Sequence, residues 1–599
     1  MTSAPNLQAL FAQANEAFAR GDLDGARTVA TQVAQHAPSV GPVRHLLALI
    51  EKRRGDTSAA RRQFTAAIEL GPPDPQVHNN FANLLSDLGD NDGALDHYRR
   101  ALALEPAFVD ALVNFALVAE EVERFAEARA ALVKATELRP DLAKAWQSLG
   151  LVDRAEGNLD SAAAALDRAL ALDPHEPKAA QARARVEAER GGHALPFFDR
   201  AAALTPGDLD LFIAHSAVEA QTDPMVAERK LAAMVEANPA WLDGHMALGQ
   251  MRWQFASDGA PERSFAEALD RRPGTTELWY GYIAWLNRAE RHGDALATIE
   301  RARAALPGHP GAASVLDQLE AIAADEAGDH AHAARLFAGM AAIGDFTVQV
   351  ARIRHALRTG APDEAARIAE PLTANGSPLV RAYLSTAWRM TGDARQDWLH
   401  GDDRLVRTLD IGDMMPPLDT LAARLRELHV TQAHPIDQSL RGGTQTDGDI
   451  LVRSETLFRA VRAALTYAVE TYVAGMPPPD PRHPTLKEPR DGVRLVGGWS
   501  VRLTSQGFHV NHVHPRGWLS SAFYVSLPAS VGGDRARPDG WLALGAPPAE
   551  LGLDLPPLRL IEPRPGRLAL FPSTMWHGTL PFAEGERLTL AFDVAPRRG

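Results

Sequence analysis

Apolar residues along the first 380 positions recur on a fixed beat. Phe64, Tyr98 and Leu132 stand 34 residues apart, and Leu47, Phe81 and Leu149 keep that interval or its double. Such recurrence predicts a helix–turn–helix unit, with these side chains filling the groove between paired helices. After about residue 400 the beat is lost. Residues 451–474 predict one amphipathic helix. Beyond the proline-rich connection MPPPDPRHPTLKEP the pattern becomes that of strands, at 493–504, 518–527, 540–545, 558–562, 566–571 and 587–594. They are short and separated by Gly, Pro and Asp turns, which predicts an antiparallel β-sandwich or small barrel.

Other residues mark the same beat in the first half. Pro38, Pro72, Pro106, Pro140 and Pro174 are each 34 residues apart, as are Ala26, Ala60, Ala94, Ala128 and Ala162. Gly21, Gly55, Gly89 and Gly157 keep the period, with Glu123 in the fourth slot. Glycine suits the turn between the helices, alanine lets them approach, and proline follows the second helix, where no donor is needed. Over about residues 7–176 this resembles the tetratricopeptide repeat. The marks then drift, although Gly328 with Ala333 and Gly360 with Ala365 suggest further degenerate units. About ten helical pairs are expected between 7 and 380. One pair cannot bury its own apolar face, so neighbours stack into a superhelical solenoid with a concave surface. That surface is either a groove for a protein or peptide, the favoured reading, or a scaffold.

Composition narrows the chemistry. The 599-residue chain has no cysteine, which excludes disulfides, thiolate zinc sites, iron–sulfur clusters and a cysteine nucleophile. No apolar run is long enough to span a bilayer, and the first residues lack a signal-peptide pattern, so no membrane association and a cytoplasmic location are expected. Residues 481–599 carry a net +4 and residues 1–480 a net −18, a distribution unlike that of a nucleic-acid binder. Nothing here decides whether the chain forms a homo-oligomer.

The histidines of the C-terminal third carry the candidate chemistry. In Phe508-His509-Val510-Asn511-His512-Val513-His514-Pro515, an extended chain points His512 and His514 to one side and His509 to the other. Two imidazoles on one strand face can hold one metal, and His577, in GRLALFPSTMWHGTLPF, is the best distant third ligand. Arg587 lies ten residues further on, where a buried guanidinium could grip a carboxylate.

These motifs, with NHVHPRGWLSSAFYVSLP, GERLTLAFDV and the lead-in HPIDQSLRGGTQTDGD, resemble the 2-oxoglutarate- and Fe(II)-dependent oxygenases, in the branch found behind tetratricopeptide arrays. The resemblance covers about 411–599. It implies a jelly-roll (double-stranded β-helix) core over about 493–595, with Fe(II) on His512, His514 and His577. It also implies 2-oxoglutarate held by Arg587 and Thr589, and O2 as oxidant. Tyr524, Asn511 and Arg502 are further candidates to touch the co-substrate, and His509 is expected beside the ligands without joining them. Trp576 and Phe571 are expected to pack the barrel, and Arg441, Thr444 and Gln445 to form a polar loop serving as lid, substrate contact or plain turn. One departure stands out: the family's carboxylate ligand is replaced by His514, and no Asp or Glu occurs between Gly492 and Gly533.

The expectation is therefore a multidomain chain. An all-α solenoid (regular over 7–176, degenerate over 177–380) leads through a connecting segment, 381–410, to an α+β oxygenase-like domain at 411–599. The solenoid would capture a protein or peptide and the domain would hydroxylate one of its side chains. A fragment of 405–599 would still bind iron and 2-oxoglutarate, provided its exposed junction does not aggregate, but would modify the substrate poorly. The alternatives are a three-histidine iron dioxygenase that needs no 2-oxoglutarate, and a metal-binding adaptor without turnover.

Overall fold

A computed structural model describes residues 6–37, 40–255, 260–340, 342–436, 438–515, 517–531 and 537–597. Pro38 lies outside the described residues. Between Leu7 and His400 these residues form 24 α-helices. None of the described helices is long and apolar enough to cross a membrane. Contacts divide the chain into two compact units, which meet in sequence at Val186 and Glu187.

The first unit is an all-α solenoid, and the repeat marks act as their chemistry predicts. Ala26, Ala60, Ala94, Ala128 and Ala162 are completely buried where paired helices cross, and Phe64, Tyr98 and Leu132 fill the space beside them. The turn glycines Gly21, Gly55, Gly89 and Gly157 take φ of +74 to +83°. The residue after each of the first three caps the next helix: Asp22, Asp56 and Asp90 accept from the backbone N–H of Gly25, Ala59 and Gly93 at 2.9, 2.8 and 3.1 Å. Glu123 takes the same left-handed turn at φ 59°, a conformation costing a side-chain-bearing residue about 1–2 kcal/mol.

The second unit holds both the degenerate repeats and the strand-rich region. The nine strands are β1 (Arg407–Asp410), β2 (Leu440–Gln445), β3 (Val493–His512), β4 (Leu519–Ser526), β5 (Leu542–Leu544), β6 (Arg559–Ile561), β7 (Arg567–Pro572), β8 (His577–Thr579) and β9 (Arg587–Pro596). They form one curled antiparallel sheet in the order β1-β7-β4-β9-β3-β8-β5-β6, with β2 on β3. Helices Leu418–Leu428 and Thr456–Ala474 cover one face, burying Leu425, Phe458, Leu465 and Val469 against Phe523, Leu568, Leu590 and Phe592. The sheet contains β1, β2 and β8, which the strand pattern did not predict. Each is short, and β2 and β8 are built around glycine.

The stretch 381–410 is structured throughout. It contains most of helix Pro378–Thr391, then helix Arg395–His400 and β1. The Trp576 indole N–H donates to Ala382 O (3.1 Å) and Thr386 Oγ1 (3.0 Å), and its ring meets Tyr383 edge-on at 5.0 Å. His400 Nε2 bonds Thr574 Oγ1 at 3.0 Å, and Arg389 donates to Pro556 O at 2.6 Å. Trp576 therefore packs against the repeats as well as the sheet. Further back, Trp253 Nε1 donates to His434 O at 2.8 Å, and Ile436 sits in the apolar core around Trp279 and Trp285.

A fragment of 405–599 would strip these partners from buried groups and expose the Trp576 and Leu551 surface, which is the junction on which its solubility depends. We expect it to aggregate, whereas 177–599 keeps the whole second unit and should melt cooperatively. Circular dichroism melts of the two purified fragments check this, and a cooperative transition for 405–599 would contradict it.

Candidate metal centre

β3 and β8 pair with His512 directly opposite His577. His514 follows two residues after the end of β3. The three histidines offer ligand atoms within 4.8 Å of one another. His514 Nε2 stands 3.2 Å from His512 Nε2 and 3.3 Å from His577 Nε2. The other ring nitrogens are engaged outward. His512 Nδ1 donates to Val510 O (2.8 Å), His577 Nδ1 to Met575 O (3.1 Å), and His514 Nδ1 to Asp593 Oδ1 (2.5 Å). With the protons on Nδ1, three bare Nε2 lone pairs face one another, an arrangement that repels itself unless a cation lies among them. Nitrogen ligands about 2.1 Å from a shared ion stand about 3 Å apart, so the donor set fits a divalent metal.

Burial keeps the His512 and His577 imidazoles neutral, the form that binds metal. It lowers His512 to about 3, helped by the neighbouring His514. His577 and His509 lie well below the ordinary value for the same reason, with their histidine neighbours adding to the effect.

β9 supplies the rest of the pocket by strict alternation. Leu588, Leu590, Phe592 and Val594 enter the apolar core. Arg587, Thr589 and Ala591 line the histidine pocket instead. Arg587 is 2 % exposed, and among the described residues no carboxylate pairs with it. Its Nε and the neighbouring Tyr524 Oη are both buried without a hydrogen-bond partner. The guanidinium lies 5.2 Å from the Tyr524 ring centroid. Burial lowers the Arg587 pKa, partly offset by Tyr524. A desolvated guanidinium with unfilled donors is suited to an anion, and its planar fork fits a carboxylate.

The structure thus brings His512, His514, His577, Arg587 and Thr589 to one pocket, with Tyr524 beside Arg587. His509 also lines it, bonding Ser439 Oγ at 3.1 Å and stacking on His512. Two expected co-substrate contacts lie elsewhere. Arg502 pairs with Glu586 at 2.5 Å near the surface, and Asn511 donates to Pro547 O at 3.0 Å. Phe571 lines the pocket against His577. Of the Gly-rich stretch, Gln445 lines the pocket, Thr444 bonds His429 and Arg441 pairs with Glu290. Gln438, Ser439, Trp499 and Ser521 also line the pocket and escaped the sequence reading, for no local motif marks them. Next to it lies a second, open cavity of about 830 Å³, which shares His512, Ser439 and Gln438 with it. Its opposite wall is built by degenerate-repeat residues, among them Asn287, Arg288, Asp325 and Arg358.

Two family models match parts of the chain. Residues 497–593 match the family model described as "Putative 2OG-Fe(II) oxygenase", which implies Fe(II), 2-oxoglutarate and O2, and four overlapping tetratricopeptide-repeat matches span residues 11–177. No curated protein matches. Among solved structures, the crystal structure of MamA is 22% identical and covers 27% of this chain and 94% of its own, with a TM-score of 0.26. PilF of Pseudomonas aeruginosa is 16% identical over 34% of this chain and 94% of its own (TM-score 0.31). YrrB, described as a TPR protein with an unusual peptide-binding site, is 20% identical over 29% and 90% (TM-score 0.27).

The neutral histidines carry a pH prediction. Their folded pKa values lie below the unfolded value of about 6.5. Above that pH neither state is protonated. As pH falls through 6.5 the unfolded chain gains protons that the folded one refuses. Stability of the metal-free protein should then drop by up to about 1.4 kcal/mol per pH unit for each such histidine. Thermal melts between about pH 7 and 5 should slope downward with acid, and His577→Asn should flatten the slope. Identical slopes would contradict the buried neutral state.

Proposed function

We propose that the strand-rich region is a 2-oxoglutarate- and Fe(II)-dependent oxygenase built on a double-stranded β-helix, with His512, His514 and His577 as the iron ligands. The observation that carries this reading is Arg587: a buried guanidinium without a protein carboxylate, in the same pocket as three converging imidazoles. The family match at 497–593 supports the oxygenase kind. When bound, Fe(II) and 2-oxoglutarate supply O2 activation, with succinate and CO2 as co-products.

The chain's own residues do the holding and the shielding. Arg587 and Thr589 grip the far carboxylate of 2-oxoglutarate, and the Tyr524 hydroxyl offers a further hydrogen bond at the same end. The carbonyl contacts of His512 and His577 fix their rings, so the ligands need no reorganisation when the metal arrives. Phe571, Leu542 and Trp499 wall the pocket and limit water. A three-histidine dioxygenase without 2-oxoglutarate would leave Arg587 without a purpose, and succinate release separates the two readings.

The substrate is proposed to be a side chain of a protein or peptide, modified by hydroxylation. The adjoining cavity supports a polar chain as occupant. Small-molecule sites are mostly apolar, whereas this cavity presents Arg288, Glu290, Asp325, Glu326, Arg354 and Arg358. Tetratricopeptide repeats suggest protein–protein interaction.

Two measurements test the assignment. Anaerobic titration should give about one Fe(II) per chain, lost in His577→Ala. Arg587→Ala should keep iron but weaken 2-oxoglutarate binding by about 2–5 kcal/mol, the cost of leaving a buried charge unpaired. Normal succinate production by Arg587→Ala would refute the co-substrate role.

Substrate recognition has its own test. Mass spectrometry of peptides from cells with and without the protein should find a +16 Da substrate. On it, Arg288→Glu should lower modification roughly tenfold, about 1.4 kcal/mol, with uncoupled succinate release unchanged. Equal modification would remove the cavity from the recognition path.

A further inference from the structure

The ligand set proposed above has three neutral members where the related oxygenases place a carboxylate. Asp593 stands directly behind the substituted position. Its Oδ1 accepts from His514 Nδ1 at 2.5 Å and from Ser520 Oγ at 3.1 Å, and Ser520 Oγ bonds Ser573 Oγ at 2.8 Å. The residue is 8 % exposed, and among the described residues neither lysine nor arginine pairs with it. Register places it there, since Ser520 on β4 lies opposite Asp593 on β9. The chain closes over the cluster at Gly517, where a Cβ would stand 2.5 Å from Ser573 Oγ and 3.0 Å from Asp593 Oδ1. A buried carboxylate is costly to desolvate, and among the described residues this one has a histidine as its sole charged or chargeable partner.

We propose that Asp593 is a positioning residue that supplies, through His514, the negative charge missing from the ligand set; the proposal rests on the iron-site reading. The carboxylate sits one hydrogen bond outside the coordination sphere. It holds the proton on His514 Nδ1, turns the Nε2 lone pair toward the metal and makes that nitrogen a stronger donor. It also settles the charge of the pocket. Fe(II) carries two positive charges, the 2-oxoglutarate dianion two negative ones and Arg587 one positive, which leaves one positive charge that Asp593 cancels. In a site with a carboxylate ligand the cancelling charge would sit on the metal itself. Here the same charge acts from behind an imidazole.

The test titrates metal-free full-length protein with Co(II) alone, whose visible absorption reports its ligands. Wild type should bind one Co(II). Asp593→Asn keeps an oxygen acceptor but removes the charge, so it should bind about 10–100-fold more weakly while the metal-free melting temperature holds. In the iron-loaded variant the Fe(III)/Fe(II) potential should shift positive, because Fe(III) loses a stabilising charge; a purely structural role would not produce that shift. Co(II) affinity within about threefold of wild type, with an unmoved potential, overturns the proposal. No Co(II) binding by wild type overturns the iron-site reading instead. Should the variant not fold, nuclear magnetic resonance of Zn(II)-loaded wild type decides the matter. A slowly exchanging proton on His514 Nδ1 is expected, and coordination through Nδ1 would overturn the proposal.

Discussion

Antiparallel pairing decides which side chains of a sheet face one another, and a slip of one residue would exchange the two faces of a strand. β3 is 20 residues long and pairs with β9 from Val493 to Leu503 and with β8 from His509 to His512. The first pairing brings Arg587 and Thr589 alongside β3, and the second brings His577 opposite His512. β4 completes the arrangement on the far side of β9, setting Tyr524 opposite Thr589 and Ser520 opposite Asp593. Two of the three histidines, the guanidinium and the buried carboxylate are thus positions on one register. Register irregularities between Val496 and Gly498 and between His509 and His512 adjust the strand locally. His514 alone lies past the strand end, and Asp593 anchors it there.

The same register separates two environments within one strand. Even-numbered residues of β9 between 588 and 594 build the apolar core, whereas Arg587, Thr589 and Ala591 line the pocket. Polar groups on the pocket face are costly unless satisfied, and most are. Ser521 Oγ donates to Phe592 O at 2.6 Å, and Ser520, Ser573 and Asp593 satisfy one another. Arg587 Nε and Tyr524 Oη are the exceptions, and they lie side by side. Unsatisfied groups concentrated at one point of an otherwise satisfied face indicate where a ligand belongs.

Sequence alone carried the repeat architecture because its causes are local. A left-handed turn selects glycine, a helix crossing selects alanine, and both return every 34 residues. Where one cause is missing, as at Glu123, the turn persists because neighbouring repeats impose it. The histidine triad was legible only in part: an extended chain sets His512 and His514 to one side, although His514 lies past the end of β3, and the apolar run 566–571 predicted β7 but not β8, which carries His577. Non-local causes were hidden. Asn511 and Arg502 were candidates for a co-substrate contact, yet Arg502 pairs with Glu586 near the surface and Asn511, beside the β3 irregularity, bonds Pro547. Asp593 drew no notice because its role depends on a partner 79 residues away. The packing of Trp576 on helix Pro378–Thr391 was equally invisible, since an indole before a histidine reads as core whichever element supplies the core.

On the proposed iron-site reading, charge constrains how the site fills. Arg587 and Asp593 are both buried, the first without a carboxylate against it among the described residues and the second against His514. A divalent cation alone leaves the pocket two charges positive, and 2-oxoglutarate alone leaves it two charges negative. Either state is expensive in a weakly polarisable space. Each ligand therefore lowers the cost of the other, and by linkage the effect on both affinities is the same. In a site with a carboxylate ligand, that ligand attenuates the metal's charge directly, so less of it is left for the co-substrate to answer. With three imidazoles around the metal and the carboxylate behind one of them, more of the attraction is left to the incoming dianion, and Arg587 directs its far end. The histidine substitution at 514 is in this light a redistribution of charge within the pocket, with the pocket total kept at zero.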